Sequence, residues 1–298
     1  TPEEVWGAIE ENTIVLLLGM MIIAAYLDIA GFFGWAAAFV LRVCRGPVGL
    51  LHALVWSAGL LSALLVNDTV CLLLSPIVLA AARRAGVPLP PYLFALFMGA
   101  NVGSAATLSG NPQNMLIGTL SGDSYRGFLL RLAPVAIGGL AIVSGLLHLF
   151  FARTLRAVPA AGIDAPEPRL HRGLLRLTLV VLGGVVVAFL AGVRLPFAAL
   201  AGACALLAGT RIAPRHVFLR VDWTLLLFFA SLFVLVEGVV RVGAAEWLHE
   251  MFAPYLGETA RRQASVFSVL AVIGSNLVSN VPFILVARPW IGGLENPE

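Results

Sequence analysis

SGNPQNMLIG, residues 109–118, interrupts one of the most apolar parts of the chain. Gly110 and Pro112 oppose a continuous helix, because Gly costs about 1 kcal/mol and Pro about 3 kcal/mol in a helix interior. Gln113 and Asn114 add polar groups where the flanking sequence predicts apolar helix. Non-helical backbone at membrane depth is tolerated only where protein or a water-filled cavity satisfies it. The stretch therefore predicts a discontinuous helix beside a site. Pro112 suits the first position of a new half-helix and pushes Asn111 toward extended geometry. The freed amides at that N-terminus can meet an anion. Carbonyls ending the preceding half-helix, near Gly103 and Thr107, suit Na⁺. Gly103, Gly110 and the small residues Ser104, Ala105 and Ala106 permit close backbone approach. A structural kink, with helix packing through Gly99-x-x-x-Gly103, is the plainer alternative.

Composition sets the class. The chain is 60% hydrophobic and 12% charged, with mean hydropathy +0.96, whereas a soluble domain carries roughly 25% charged residues. Runs such as 13–27, 174–190 and 195–209 approach the length that spans a bilayer. This predicts an all-α polytopic membrane protein. The net charge of +3 resides in arginines at segment ends, a pattern of membrane topology rather than of nucleic-acid binding. Cys44, Cys71 and Cys204 are scattered, with no metal or disulfide spacing. His52, His148, His171, His216 and His249 share no metal spacing either. No cofactor is expected beyond a coupling ion. The Asn67-Asp68-Thr69 sequon lies in an apolar run and is discounted.

A repeat runs through the chain at a nearly constant offset. Pro2 pairs with Pro214, Val5 with Val217, Thr13 with Thr224, Gly31 with Gly243 and Trp35 with Trp247. SALLVNDTVCLLLSP resembles SNLVSNVPFILVARP, pairing Ser62, Asn67 and Pro76 with Ser275, Asn280 and Pro289. The first repeat is read as 1–157, a cytoplasmic linker as 158–173 and the second repeat as 174–298. Two apolar segments precede the second copy, and SGNPQNMLIG would find its partner past Glu298. The register thus implies about two helices upstream and further helices downstream in a longer chain.

Residues 48–84 are too long for one crossing, since such a helix would reach about 55 Å. Arginines at both ends make it a hairpin that leaves and returns on one side, with Asn67-Asp68-Thr69 at its tip. Five crossings separate the first span from its partner, so the second copy is inverted. Inverted repeats are a transporter architecture and place the site near the midplane.

Asp68 is the only acidic residue between Asp28 and Asp123. A carboxylate at that depth is costly and functional by default, as a cation ligand or proton acceptor; the plainer role is capping the returning helix. Asn67 and Asn280 recur at equivalent places and read as paired ligands. Ser62 and Ser275 lie a turn earlier on the entering arms, where Ser often bonds only to its own backbone. Glu237 and Arg241 read as a local ion pair.

The two hairpins and GANVGSAATLSGNPQNMLIG resemble the ion-transporter superfamily. That group includes divalent-anion/sodium symporters, citrate-type transporters, arsenite efflux permeases and a class of sodium/proton antiporters. Its symporters carry Ser-Asn-Thr at each tip, contacting substrate and framing a sodium site. By resemblance Asn67 and Asn280 match the Asn and Ser279 the Ser, while Ser62 and Ser275 match hydroxyl ligands of the sodium sites. Val66, Asp68 and Val281 depart from the pattern, and Asp68 looks more like the tips of the arsenite and antiporter branches. The resemblance also implies a homodimer and elevator-like movement of the site-bearing part.

The sequence therefore predicts a secondary active transporter for a small anion or oxyanion, coupled to Na⁺ or H⁺, in a bacterial-type inner membrane. Asn67, Thr69, Gly110, Asn111, Ser279 and Asn280 are the expected solute ligands. Ser62, Asp68, Gly103, Thr107, Ser275 and Asn276 are the expected coupling-ion group. Arsenite or antimonite efflux and Na⁺/H⁺ exchange are the neighbouring alternatives. An intramembrane enzyme is the remote one, lacking any HExxH or GxSxG.

Overall fold

The computed structural model describes residues 2–44, 46–156, 169–256 and 259–291, with no strand among them. Five helices among the described residues are long and apolar enough to cross a membrane. The protein is an all-α polytopic membrane protein. Packing divides the chain into a larger unit, Val15–Asp222, and a smaller one, residues 1–14 with 223–298. The repeat division is one of sequence; packing instead groups the two helices after residue 171 with those before the linker. Most of that linker, residues 157–168, lies outside the described residues.

α1 (Pro2–Gly7) and the start of α2 (Glu11–Ile29) belong to the smaller unit. The larger unit continues with α3 (Phe32–Val43), α4 (Gly46–Leu64), α5 (Asn67–Ala85), α6 (Leu89–Ser104), α7 (Pro112–Ser121), α8 (Tyr125–Arg156), α9 (Arg172–Leu190), α10 (Leu195–Gly209) and α11 (Pro214–Phe218). The remaining helices are α12 (Trp223–Arg241), α13 (Ala244–Leu256), α14 (Ala260–Val278) and α15 (Asn280–Ile291).

The register of α4 against α6 explains the hairpin. Gly99 lies on Val55 and Gly103 on Gly59, while Thr107 Oγ1 donates to Ala63 O at 2.6 Å. Each step of four residues on one helix matches four on the other. The two helices therefore run parallel and begin level. A Cβ on Gly103 would sit 2.2 Å from Gly59 Cα, and one on Gly99 2.6 Å from Val55 O. The Gly-x-x-x-Gly pair is thus a backbone-to-backbone contact, as small-residue interfaces in membranes require. α8 packs antiparallel on both helices, setting Phe151 beside Phe94 with ring centroids 6.0 Å apart and Gly139 against Val102.

α4 rises about 28 Å and α6 about 24 Å from the same level. The chain then turns at Leu65 and Val66, both 1% exposed, and α5 returns. After the break α7 is roughly 15 Å long. α4 is long and apolar enough to cross a membrane by itself. The break between α6 and α7 is the discontinuous helix that the sequence predicts.

α2, α9 and α10 pack through small residues. Gly19 meets Ala199, and Gly202 meets Val181, Val185 and Ile23. Tyr26 OH and Thr210 Oγ1 are 3.1 Å apart. The Tyr125 and Phe189 rings, 5.2 Å apart, put the start of α8 beside the end of α9. Helix ends pointing toward the linker carry Arg42, Arg83, Arg84, Arg153, Arg156, Arg172, Arg176 and Arg211; Arg126, Arg131 and Arg194 sit at opposite ends.

After the linker the chain returns to the end of α2, where His171 N donates to Ala30 O at 3.0 Å. Gly31 has φ +82°, and a Cβ there would lie 2.2 Å from Arg169 O. Gly31→Ala should lower stability by about 1–2 kcal/mol from the left-handed backbone alone. The displaced Arg169 carbonyl adds to that, and thermal unfolding of the purified protein measures the sum.

In the smaller unit, α12 to α15 follow the same element order as α2 to α5. Gly243 has φ +77° where Gly31 has +82°. Trp35 N donates to Gly31 O and Trp247 N to Gly243 O, both at 3.0 Å. Asn67 opens α5 and Asn280 opens α15. Trp290 Nε1 donates to Ala245 O at 3.0 Å, and Phe283 covers Gly274. Arg241 Nε donates to Glu237 Oε1 at 2.8 Å, the local ion pair read from the sequence.

Candidate functional site

The hairpin tip and the helix break meet through one bond. Asn67 N donates to Gly110 O at 2.9 Å. Asn67 is the first residue of α5, so its N–H has no partner within its own helix. A carbonyl released by the break supplies one. Gly110 is required there: a Cβ would lie 2.2 Å from Ser104 O.

The break spans residues 105–111 rather than a single kink at 110. Asn111 caps α7 in extended geometry, φ −152° and ψ 160°, as a residue before Pro should. Its Oδ1 accepts from Asn114 N at 2.7 Å, and its Nδ2 donates to Ser104 Oγ at 3.0 Å. Ser104 Oγ donates in turn to Asn101 O at 2.8 Å. Asn114 Nδ2 donates to Thr107 O at 2.9 Å and lies 3.4 Å from both Ser104 O and Ala105 O. The side chain of Asn114 thus fills the carbonyl cluster that the sequence reading offered to Na⁺. Ser109 Oγ and Tyr125 OH, 3.1 Å apart, tie the loop to α8. Asn111→Ala removes both the cap and the Ser104 link, and should cost about 1–2 kcal/mol of stability, read by thermal unfolding. An unchanged melting point would assign the loop's rigidity to Asn114 alone.

Two oxygens at this tip lack partners. Ser62 Oγ and Asn67 Oδ1 are buried without a hydrogen bond, and Ser62 is 0% exposed. A buried polar oxygen left unpaired costs about 1–3 kcal/mol, and this hairpin carries two. Thr107 and Gly103 instead hold α6 to α4, through Ala63 O and Gly59. Asp68 is the second residue of α5 and exposed. Val66, not Asp68, occupies the capping position, and no side chain caps that end. Thr69 lines a small cavity with Asp28, Arg220 and Asp222. Arg220 pairs with Asp28. Asp222 and Asn114 were not among the residues singled out from sequence.

The smaller unit has its own tip. Ser279 joins α14 to α15 with φ 76° and ψ 159°, a region costing a non-Gly residue about 1–3 kcal/mol and found at functional sites. Ser275 Oγ donates to Val272 O at 3.3 Å and Asn276 Nδ2 to the same carbonyl at 2.7 Å. Ser275, unlike Ser62, is bonded within its own helix. The described residues contain no group of three or more His, Cys, Asp or Glu suited to a metal ion.

A family model described as citrate transporter matches residues 1–296. The chain belongs to the citrate transporter family. An uncharacterized transporter of Mycobacterium tuberculosis (strain CDC 1551 / Oshkosh) is 33% identical over 294 residues, covering 96% of this chain and 69% of that protein. The silicon efflux transporter LSI3 of Oryza sativa subsp. japonica is 27% identical over 343 residues, covering 95% of this chain and 71% of its own. The inner membrane protein YbiR of Escherichia coli (strain K12) is 29% identical over 288 residues, covering 96% and 73%. Membership of the citrate transporter family agrees with the resemblance carried by the hairpins and the broken helix, and makes the protein a membrane transport protein.

Proposed function

We propose that the protein is a secondary active transporter moving a small anion or oxyanion, coupled to Na⁺ or H⁺. The Asn67–Gly110 bond carries this reading, since it holds a hairpin tip and a broken helix together beside two unpaired buried oxygens. Asn67, Thr69, Gly110 and Asn111, with Ser279 and Asn280 of the second hairpin, hold the solute. Ser62 and Asp68 on the first hairpin and Ser275 and Asn276 on the second serve the coupling ion, while Gly103 and Thr107 hold α6 against α4. Inverted repeats, the arrangement expected from the sequence, are a common architecture of alternating access. A bound cation makes the occupied site nearly neutral, which lowers the cost of moving it through low dielectric. The family's description as citrate transporter and the silicon efflux relative support a small oxygen-rich solute. The carboxylate of Asp68 favours a second reading, arsenite or antimonite efflux or Na⁺/H⁺ exchange.

The test uses the full-length protein. A ligand at a hundred times its Kd stabilises the folded state by about 2.7 kcal/mol. Citrate, silicic acid and arsenite are screened by thermal shift with and without Na⁺ and across pH. The ligand found is then assayed in proteoliposomes. Asp68→Asn should abolish the dependence of its transport on the cation gradient; intact coupling in that variant would remove Asp68 from the mechanism.

A further inference from the structure

His52 on α4 and His148 on α8 face each other along the same bundle that carries the first hairpin tip. Their rings are stacked, with centroids 5.2 Å apart and planes 18° from parallel. His52 Nε2 lies 3.1 Å from His148 Nδ1, and His52 Nδ1 lies 2.6 Å from Ser144 Oγ. Ser144 is buried and both histidines are half-buried. The surrounding stretches of both helices are apolar, and an ionisable group in such a setting calls for a function and a partner.

The geometry fixes how many protons the pair accepts. At 3.1 Å one ring must offer an N–H and the other a lone pair. Two neutral rings satisfy this when His52 Nδ1–H donates to Ser144 Oγ and His148 Nδ1–H donates to His52 Nε2. One proton added at His148 Nε2 turns the second bond into a charge-assisted one, which is stronger. A second proton would set N–H against N–H and bring two positive rings together. His148 is the titratable side chain that faces His52 from α8. α6, packed on both helices, brings only Tyr92, whose OH donates to Pro47 O at 3.2 Å. Arg153 lies more than a turn further along α8; Arg42 and Arg83 sit in the last turns of α3 and α5, and Arg172 and Arg176 at the start of α9.

We propose that His52 and His148 form a binding site for one proton, oriented by Ser144. Because α4, α6 and α8 are locked together, a proton bound there belongs to the body that bears the Asn67 tip. Its charge offsets that of an anion held at the tip, a consequence that rests on the transporter reading. The site itself does not.

The experiment is a titration of full-length protein in lipid nanodiscs, with ¹⁵N-labelled histidine observed by NMR and signals assigned through His52→Gln and His148→Gln. Imidazole titrates in the region of pH 5–8, and interacting sites titrate as a pair. The expected result is that both rings shift together over that range and gain one proton between them. His148→Gln should return His52 to a simple single-site curve. Ser144→Ala should change the tautomer signature of His52, and Ser144→Thr should restore it. Two rings each gaining its own proton, or a His52 curve indifferent to His148→Gln, would overturn the proposal. No solute enters the measurement, so a failed solute screen and a failed proton site are told apart.

Discussion

Gly103→Ala should lower the stability of the purified protein by about 1–3 kcal/mol, the usual range for overpacking, and Gly103→Val by more. The new Cβ would lie 2.2 Å from Gly59 Cα and 2.4 Å from Gly59 O. Both are backbone atoms, so no rotamer change relieves the clash, and α4 must separate from α6. That separation also pulls Thr107 from Ala63 O and the Asn67 amide from Gly110 O. Gly138 is the control, because a Cβ there meets nothing within 4 Å. Gly138→Ala should be neutral or stabilising by up to about 1 kcal/mol. Thermal unfolding in detergent compares them, and equal melting points for Gly103→Ala and Gly138→Ala would remove the close contact from the account.

Asn67→Ala should leave the fold in place and weaken solute or ion binding roughly ten- to hundredfold, the range for losing a hydrogen bond to a charged group. The fold survives because Asn67 reaches Gly110 through its backbone amide, which alanine keeps. The substitution also deletes an unpaired buried oxygen, so the ligand-free protein should melt no lower than the wild type. The check is the ligand-induced rise in melting point: it should shrink sharply while the ligand-free value holds. A full ligand response in Asn67→Ala would move the site away from this tip.

Much of the fold was legible because its signals are local. Gly110 disfavours a helix interior and Pro112 suits the opening of a new helix, and 48–84 is too long to cross once. The extent of the break was not legible. It opens after Ser104 because Asn114 reaches back to three carbonyls, and nothing in the run SAATLS announces that. The two asparagines at the tips were readable through the repeat, and Asn67 N indeed meets the break. The difference between Ser62, unpaired, and Ser275, bonded to Val272 O, was hidden, because identical residues at equivalent places in the sequence do not announce which bonds they make. Asp222 and the His52–Ser144–His148 chain depend on which faces of distant helices meet. That register is set by small residues such as Gly59, Gly99 and Gly139, and a single sequence does not reveal it.

The matched starts of α4 and α6 constrain any motion the protein makes. With backbone seated on backbone at Gly59 and Gly103, neither helix can slip along the other without first lifting away. α8 clasps both from the opposite direction. Any shift that presents the Asn67 tip to the other face of the membrane must therefore transport hairpin, broken helix and α8 as one piece. The joints that bend have to be sought at the edges of that block, not within it.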